Sequence, residues 1–219
     1  TLRRDIGEFT VRKSETVEVT FTESQQYVHD EVLRIQADIM GMLHGETNIK
    51  FLMSTIRRQT ASCLYGLVPF LREILTKHLD ELEQSEADNW SMPSSEFITD
   101  IRLQIEEIIE KAKALDDRDP KLDALCEVIE RKQAEQNHRI MVFSTFRHTL
   151  NYLFENLKRR GYRVGLVHGG TPDEERVALR ERFQGEKLHT TSIDVMLFSE
   201  IGCEGLDYQF CDCLVNYDI

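Results

Sequence analysis

Residues 194–218 read DVMLFSEIGCEGLDYQFCDCLVNYD, and this stretch decides the fold class. It predicts two buried strands, at 194–199 and 213–217, joined by a turn in which Gly202 and Gly205 stand among acids. A turn that only connects two strands needs one glycine and no acids. A turn that touches a nucleotide or a phosphate needs bare peptide N–H groups and a fixed acceptor. We therefore interpret this turn as functional.

Strands alternate with helices upstream of that stretch. The pattern predicts helices at 121–136 and 147–160, the second closed by Gly161, strands at 139–144 and 162–168, and a helix from Pro172. Strands joined by helical crossovers form a parallel sheet with helices on both faces, and such sheets bind ligands at the carboxyl ends of their strands. We therefore predict an α/β fold for 119–219 and expect functional residues just after each strand.

Two further strand ends carry groups suited to a phosphate. VFSTF (142–146) places Ser144 and Thr145 between a strand and a helix, where hydroxyl groups suit a phosphate oxygen. HGGTPDEER (168–176) contains Gly169 and Gly170, which permit close backbone approach. Hydroxyl groups also commonly cap helices, and a well-made turn explains the second motif apart from its paired glycines. Each motif alone is a weak signal.

The first half of the chain is predicted to be mainly helical. Alternation at 16–21 predicts one short strand, and Thr22 with Gln25 forms a capping box that opens a helix. Further helices are predicted at 49–64, 67–82 and 96–115. Asp119 followed by Pro120 is typical of a helix start and follows a charged hinge. We place a domain boundary there, which divides the chain into 1–118 and 119–219.

The net charge of −12 argues against an independent nucleic-acid binder, because phosphate contacts need clustered Lys and Arg. The pair Arg57 and Arg58 is a candidate for such contacts. The pair Arg159 and Arg160 lies in the last turn before Gly161, where it complements the helix dipole, and we interpret it as structural. No stretch approaches the roughly 20 apolar residues of a membrane span. We expect a cytoplasmic protein with no membrane partner.

Other chemistries find little support in the sequence. The five cysteines lie mostly in apolar runs without a C-x-x-C pair, so core packing is favoured over zinc and no metal site is expected. No G-x-S-x-G elbow indicates a hydrolase, and no G-x-G-x-x-G follows a strand to bind a dinucleotide.

In this order and at these spacings, VFSTF, HGGTPDEER and residues 194–218 closely resemble motif IV, the adjoining segment and motif V of superfamily-two helicases. EIGCEGLDYQF (200–210) is similar to Swi/Snf helicase-like ATPases, especially bacterial members related to the RNA-polymerase-associated ATPase. The resemblance extends more loosely to residues 2–25, which are similar to the segment that crosses between motor lobes, and to RRQTASCL (57–64). It implies a RecA-like lobe preceded by a mainly helical segment.

The resemblance also implies roles for individual residues. Gly205 and Asp207 would face the nucleotide, although Asp207 stands where many family members have asparagine. An asparagine offers an amide donor that aspartate lacks. The following residues would lie along the nucleic-acid backbone: Ser144, Thr145, Gly169, Gly170, Ser199 and Glu200.

The family's phosphate-binding loop, its magnesium-holding acidic box and its arginine-rich motif VI have no match in these residues. Phosphoryl transfer needs those parts, so we expect a fragment with no catalytic residue of its own that is silent alone. The intact protein would bind ATP and magnesium, pair this lobe with a first RecA-like lobe in cis, and translocate on double-stranded DNA.

In the intact protein, this translocation would remodel a DNA-bound protein such as RNA polymerase, and a bacterial source would make the protein nucleoid-associated. The second lobe of an RNA helicase and a non-motor Rossmann-like interaction module remain alternatives.

Overall fold

The computed structural model describes residues 13–42, 47–78, 95–185, 189–199 and 208–218. The first half contains helices α1 (Glu23–Met42), α2 (Thr47–Ser62), α3 (Leu67–Glu73) and α4 (Ser95–Lys111). The second half contains α5 (Pro120–Gln133), β1 (Ile140–Phe143), α6 (Arg147–Arg159), β2 (Val164–Val167), α7 (Asp173–Gln184), β3 (Val195–Phe198) and β4 (Leu214–Asn216). None of the described helices combines the length and the apolar character needed to cross a membrane.

Helix α1 begins as the capping box predicts. The backbone N–H of Thr22 donates to Gln25 Oε1 at 3.0 Å, and the backbone N–H of Gln25 donates to Thr22 Oγ1 at 3.2 Å. These two bonds satisfy donors that a helix start otherwise leaves unpaired. The helix then buries one side, with Val28 and Val32 fully enclosed. This side packs with α2, α3 and α4 into a helical core.

The prediction of a strand at 16–21 is wrong. Residues 13–22 contain no strand, and 48% of Val17 is exposed. Alternation of apolar and polar residues marks a strand only where the backbone can pair with a neighbour. Here the segment lies beside α5, where Glu15 reaches Arg131 at 3.4 Å.

The helix predicted at 67–82 is interrupted. Regular α-helix ends at Glu73, a π-helical turn covers Ile74–His78, and the remainder of the prediction lies outside the described residues. The helix predicted at 96–115 becomes α4 followed by the 3₁₀ turn Ala112–Ala114. Propensity and periodicity do not distinguish these helix types, because all of them place apolar residues at similar spacings.

The four strands form one parallel sheet in the order β2-β3-β1-β4. Ile140 and Val142 of β1 face a core that includes side chains of α5 and α6, whereas Met141 and Phe143 pack on the opposite side with Phe183 of α7. Helices therefore cover both faces, and the predicted RecA-like α/β fold is confirmed. Strand β3 is buried along its whole length because it lies inside the sheet between β2 and β1.

Helix α6 ends at the predicted glycine. Gly161 has φ +88°, and its N–H donates to the carbonyl of Lys158 at 2.9 Å while the N–H of Tyr162 donates to that of Leu157 at 3.1 Å. This pair of bonds satisfies carbonyls at the helix end and requires a left-handed residue, which only glycine adopts without strain.

The hinge between the two halves is held by hydrogen bonds. Asp119 caps α5 by accepting from the N–H groups of Lys121 and Leu122 at 3.0 and 3.2 Å, as its sequence position predicts. The hydroxyl of Tyr65 donates to the carbonyl of Arg118 at 2.6 Å, and its ring stacks on Tyr152 with centroids 5.2 Å apart. The end of α2 and the turn after it, which precede residue 118, pack with the sheet that follows residue 118. The domain boundary at residue 118 therefore stays a prediction.

Candidate functional site

The carboxyl ends of all four strands meet at one edge of the sheet. The N–H of Ser144 donates to the carbonyl of Phe198 at 3.1 Å, and that of Ser199 donates to the carbonyl of Val167 at 3.1 Å. Because neighbouring strands lie about 4.8 Å apart, the ends of β2 and β4 are separated by about 14 Å. The structure therefore brings together five of the predicted positions along this edge: Ser144, Thr145, Gly169, Gly170 and Ser199.

Asp218 organises the turn after β1. Its carboxylate accepts hydrogen bonds from the Ser144 hydroxyl at 3.0 and 3.1 Å and from the backbone N–H of Thr145. Ser144 is buried, and its Oγ also accepts from the N–H of Phe146 at 3.2 Å. The two donors predicted to meet a phosphate are thus engaged inside the protein. The side chain of Thr145 is exposed at the same turn.

Helix α2 contributes a second set of polar groups to this edge. The hydroxyl of Ser62 donates to Asp218 and lies 2.8 Å from Thr149 Oγ1, and Gln59 Nε2 donates to the same Thr149 oxygen at 3.1 Å. All three α2 and α6 side chains in this set are buried. The end of the helical segment is therefore bonded directly to the strand-end turn.

Lys121 completes the contact between α2 and the sheet. Its Nζ donates to the carbonyl of Ser62 at 2.8 Å and stands 4.3 Å from the centre of the Tyr217 ring. Burial lowers the pKa of Lys121, while the negative charge of Asp218 opposes this shift. A cation at this position suits the end of α2, where carbonyl groups lack partners within the helix.

The turn after β2 is closed on itself. The N–H of Gly170 donates to His168 Nδ1 at 3.0 Å, and Arg176 Nε donates to the carbonyl of Thr171 at 2.9 Å. A Cβ at Gly170 would approach the His168 ring to 3.2 Å, so this tight turn favours glycine. Gly169 and Gly170 are both exposed, but the Gly170 N–H is engaged by His168 and the Gly169 carbonyl accepts from Arg176 at 3.3 Å.

The positions predicted to face nucleotide lie outside the described residues. Gly205, Asp207 and also Glu200 belong to the segment 200–207, of which nothing is described. Ser199 is half-buried at the end of β3. The assignment of these residues to nucleotide and nucleic acid stays a prediction.

Sequence reasoning missed Asp218, Ser62 and Lys121. Asp218 could have been found, because it follows the strand 213–217 just as Ser144 follows 139–144. No sequence signal identifies Ser62 as its partner, because the two residues lie 156 positions apart.

Of the cysteines in the described ranges, Cys63 and Cys126 are buried and Cys211 and Cys213 are half-buried. Burial raises the pKa of Cys63 to about 12 and that of Cys211 to about 11, which keeps both thiols protonated at neutral pH. Within the described ranges, no three His, Cys, Asp or Glu side chains are grouped in a way that could hold a metal ion.

Comparison with known proteins gives this edge a family context. Residues 120–219 match the helicase conserved C-terminal domain. A relative from Bacillus subtilis (strain 168), the uncharacterized ATP-dependent helicase YqhH, is 25% identical over 218 residues, which cover 99% of this chain and 34% of that protein. The ATP-dependent RNA helicase RhlB of Shewanella woodyi is 29% identical over 101 residues, which cover 46% of this chain and 21% of that protein.

The fold is also found in a solved structure. The C-terminal part of the Fun30 ATPase domain superposes with a TM-score of 0.51 at 16% identity, covering 92% of this chain and 73% of that one. Residues 120–219 are similar to the C-terminal lobe of helicases and have a RecA-like fold. The matched residues span about a third of YqhH and about a fifth of RhlB.

Proposed function

We propose that this chain supplies the second motor lobe of an ATP-dependent translocase that acts on double-stranded DNA and remodels proteins bound to it. The observation that carries the proposal is the strand edge itself. The turns after β1 and β2 and the end of β3 stand side by side, in the order that resembles helicase motifs IV and V. Such an edge is where parallel sheets bind their ligands.

The helical segment favours a Swi/Snf-type motor over an RNA helicase. The match to RhlB covers 46% of this chain, whereas the match to YqhH covers 99% and therefore includes α1–α4. The superpositions with the Fun30 ATPase domain and with the Pyrococcus furiosus Hef helicase domain cover 92% and 96% of the chain, so both folds include counterparts of most of these helices. In the structure, the hydroxyl of Ser62 in this segment donates to Asp218 at the strand edge, and the carbonyl of Ser62 accepts from Lys121 of α5.

The intact protein would use ATP with magnesium, bound between this lobe and a first RecA-like lobe in cis. Gly205 and Asp207 would meet the nucleotide from this side. Hydrolysis of ATP to ADP and phosphate would supply the free energy for movement, and this chain would hold the DNA backbone. The remodelled partner would be a DNA-bound protein such as RNA polymerase. We propose a cytoplasmic location, which in a bacterium would be at the nucleoid.

The proposal is tested by measuring phosphate release from the intact protein without nucleic acid, with duplex DNA and with single-stranded RNA. Strong stimulation by duplex DNA is expected. Stimulation by RNA alone would assign the lobe to an RNA helicase, the class to which RhlB belongs. No turnover in any of the three conditions would favour a non-motor interaction module. The 219-residue chain alone serves as the negative control, because it lacks a phosphate-binding loop.

A further inference from the structure

We propose that Gln59, Ser62 and Thr149 are positioning residues that hold the turn after β1 in place, and so set how much duplex DNA the motor needs for stimulation. The inference rests on the proposed function. It assigns a role to side chains that are buried and therefore act through their neighbours rather than on DNA. Gln59 and Ser62 lie on α2, and Thr149 lies in the first turn of α6. They therefore connect the two halves of the protein.

The three side chains donate hydrogen bonds in one direction, toward Asp218. The Ser62 hydroxyl donates to Asp218, and a carboxylate only accepts. Because a hydroxyl has one hydrogen, the 2.8 Å bond between Ser62 Oγ and Thr149 Oγ1 is donated by Thr149. Gln59 Nε2 donates to Thr149 Oγ1 at 3.1 Å. These bonds form one network, the Gln59–Asp218 network, which runs from α2 through α6 to the carboxylate.

Water cannot replace a bond that is lost from this network. Gln59 and Thr149 are 0% exposed, and Ser62 is 2% exposed. The carbonyl of Cys63 also accepts from Gln59 Nε2, at 3.1 Å, which fixes the end of the amide that faces Thr149. A Cβ at Gly66 would stand 3.0 Å from Gln59 Nε2, so the amide is tightly enclosed. Buried polar networks of this kind hold their members in one arrangement only while every bond is made.

The network ends at the residues that form the turn after β1. Asp218 accepts from the hydroxyl of Ser144 and from the backbone N–H of Thr145. On the other side of the turn, the Phe146 ring meets Phe70 of α3 edge-on, with centroids 6.3 Å apart. The side chain of Thr145 is exposed between these two contacts. Its position at the strand edge therefore depends on contacts that the helical segment makes.

The test is phosphate release by the intact protein over a range of duplex DNA concentrations. Thr149→Val keeps the shape of the side chain and removes the hydroxyl that joins α2 to α6. The DNA concentration that gives half-maximal stimulation should rise about 5-fold, the factor that corresponds to one net hydrogen bond, with kcat at saturating DNA unchanged. Thr149→Ser keeps the hydroxyl and should restore the wild-type concentration.

Thr60→Val is the matched control. Thr60 is a buried threonine of α2 whose hydroxyl donates to the carbonyl of Ile56 at 2.8 Å, outside the Gln59–Asp218 network. This variant should leave the half-maximal DNA concentration at the wild-type value.

Ser62→Ala breaks the next bond of the network and should raise the half-maximal DNA concentration by a similar factor. The double variant Thr149→Val/Ser62→Ala should show no more than about the same 5-fold rise, because both changes interrupt one network and their effects are not additive. Thermal unfolding of each variant verifies the fold.

Equal half-maximal concentrations for the wild type, Thr149→Val and Thr60→Val would overturn the positioning role and leave the proposed function intact. A lower kcat without a change in that concentration would also overturn it, because a loss of stability reduces the number of folded molecules and not their affinity for DNA. Wild-type protein that duplex DNA does not stimulate would overturn both the positioning role and the proposed function.

Discussion

Replacing Asp218 with alanine should lower the free energy of unfolding by about 2–4 kcal/mol. The carboxylate accepts from Ser62, Ser144 and the backbone of Thr145. A hydrogen bond to a charged group stabilises a fold by about 1.5–3 kcal/mol, but the losses do not add fully because two donors have other partners. Ser62 keeps Thr149, and Thr145 is exposed to water, whereas the buried Ser144 hydroxyl loses its acceptor.

Urea unfolding followed by far-ultraviolet circular dichroism measures this change. Asp218→Asn keeps one acceptor oxygen and should cost less, about 1–2 kcal/mol. Asp117→Ala, an exposed carboxylate in the hinge, should stay within about 0.5 kcal/mol of the wild type. If Asp218→Ala were no more destabilising than Asp117→Ala, the central role assigned to Asp218 would be refuted. A double-mutant cycle with Ser144→Ala should give a coupling of about 1–2 kcal/mol.

Three further outcomes are expected. Gly161→Ala should destabilise by about 1–2 kcal/mol in urea unfolding because of its φ of +88°. Gly41→Ala should stabilise slightly, because Gly41 lies in the last turn of α1 and a Cβ there would meet nothing within 4 Å. Burial raises the pKa of Asp119, so the folded chain holds that proton more tightly than the unfolded chain. The contribution of Asp119 to the free energy of unfolding therefore falls as pH rises above about 4. Asp119→Asn should remove this pH dependence from the free energy of unfolding, measured between acidic and neutral pH. Asp207→Ala should lower DNA-stimulated phosphate release of the intact protein with an unchanged circular dichroism spectrum, and unchanged turnover would contradict its contact with nucleotide.

Local patterns predicted the lobe well. The capping box at Thr22, the N-cap at Asp119 and the left-handed Gly161 each depend on a few neighbouring residues, and each is confirmed. The strands were found at the predicted places but are shorter, because a strand ends where its partner ends rather than where its apolar run ends. The same rule explains the error at 16–21, where alternation exists without a partner strand.

The sequence by itself determined the order of elements in 119–219, the parallel sheet and the edge along which the predicted site residues lie. These follow from periodicity, from turn chemistry and from the rule that crossovers place strand ends together. Only the tertiary structure decided what the edge groups contact. Asp218 joins Ser62 of α2 to Ser144 of the lobe, and Arg58 of α2 comes to lie over Phe146. Contacts between residues so far apart in sequence depend on how the two halves pack, which no local pattern records.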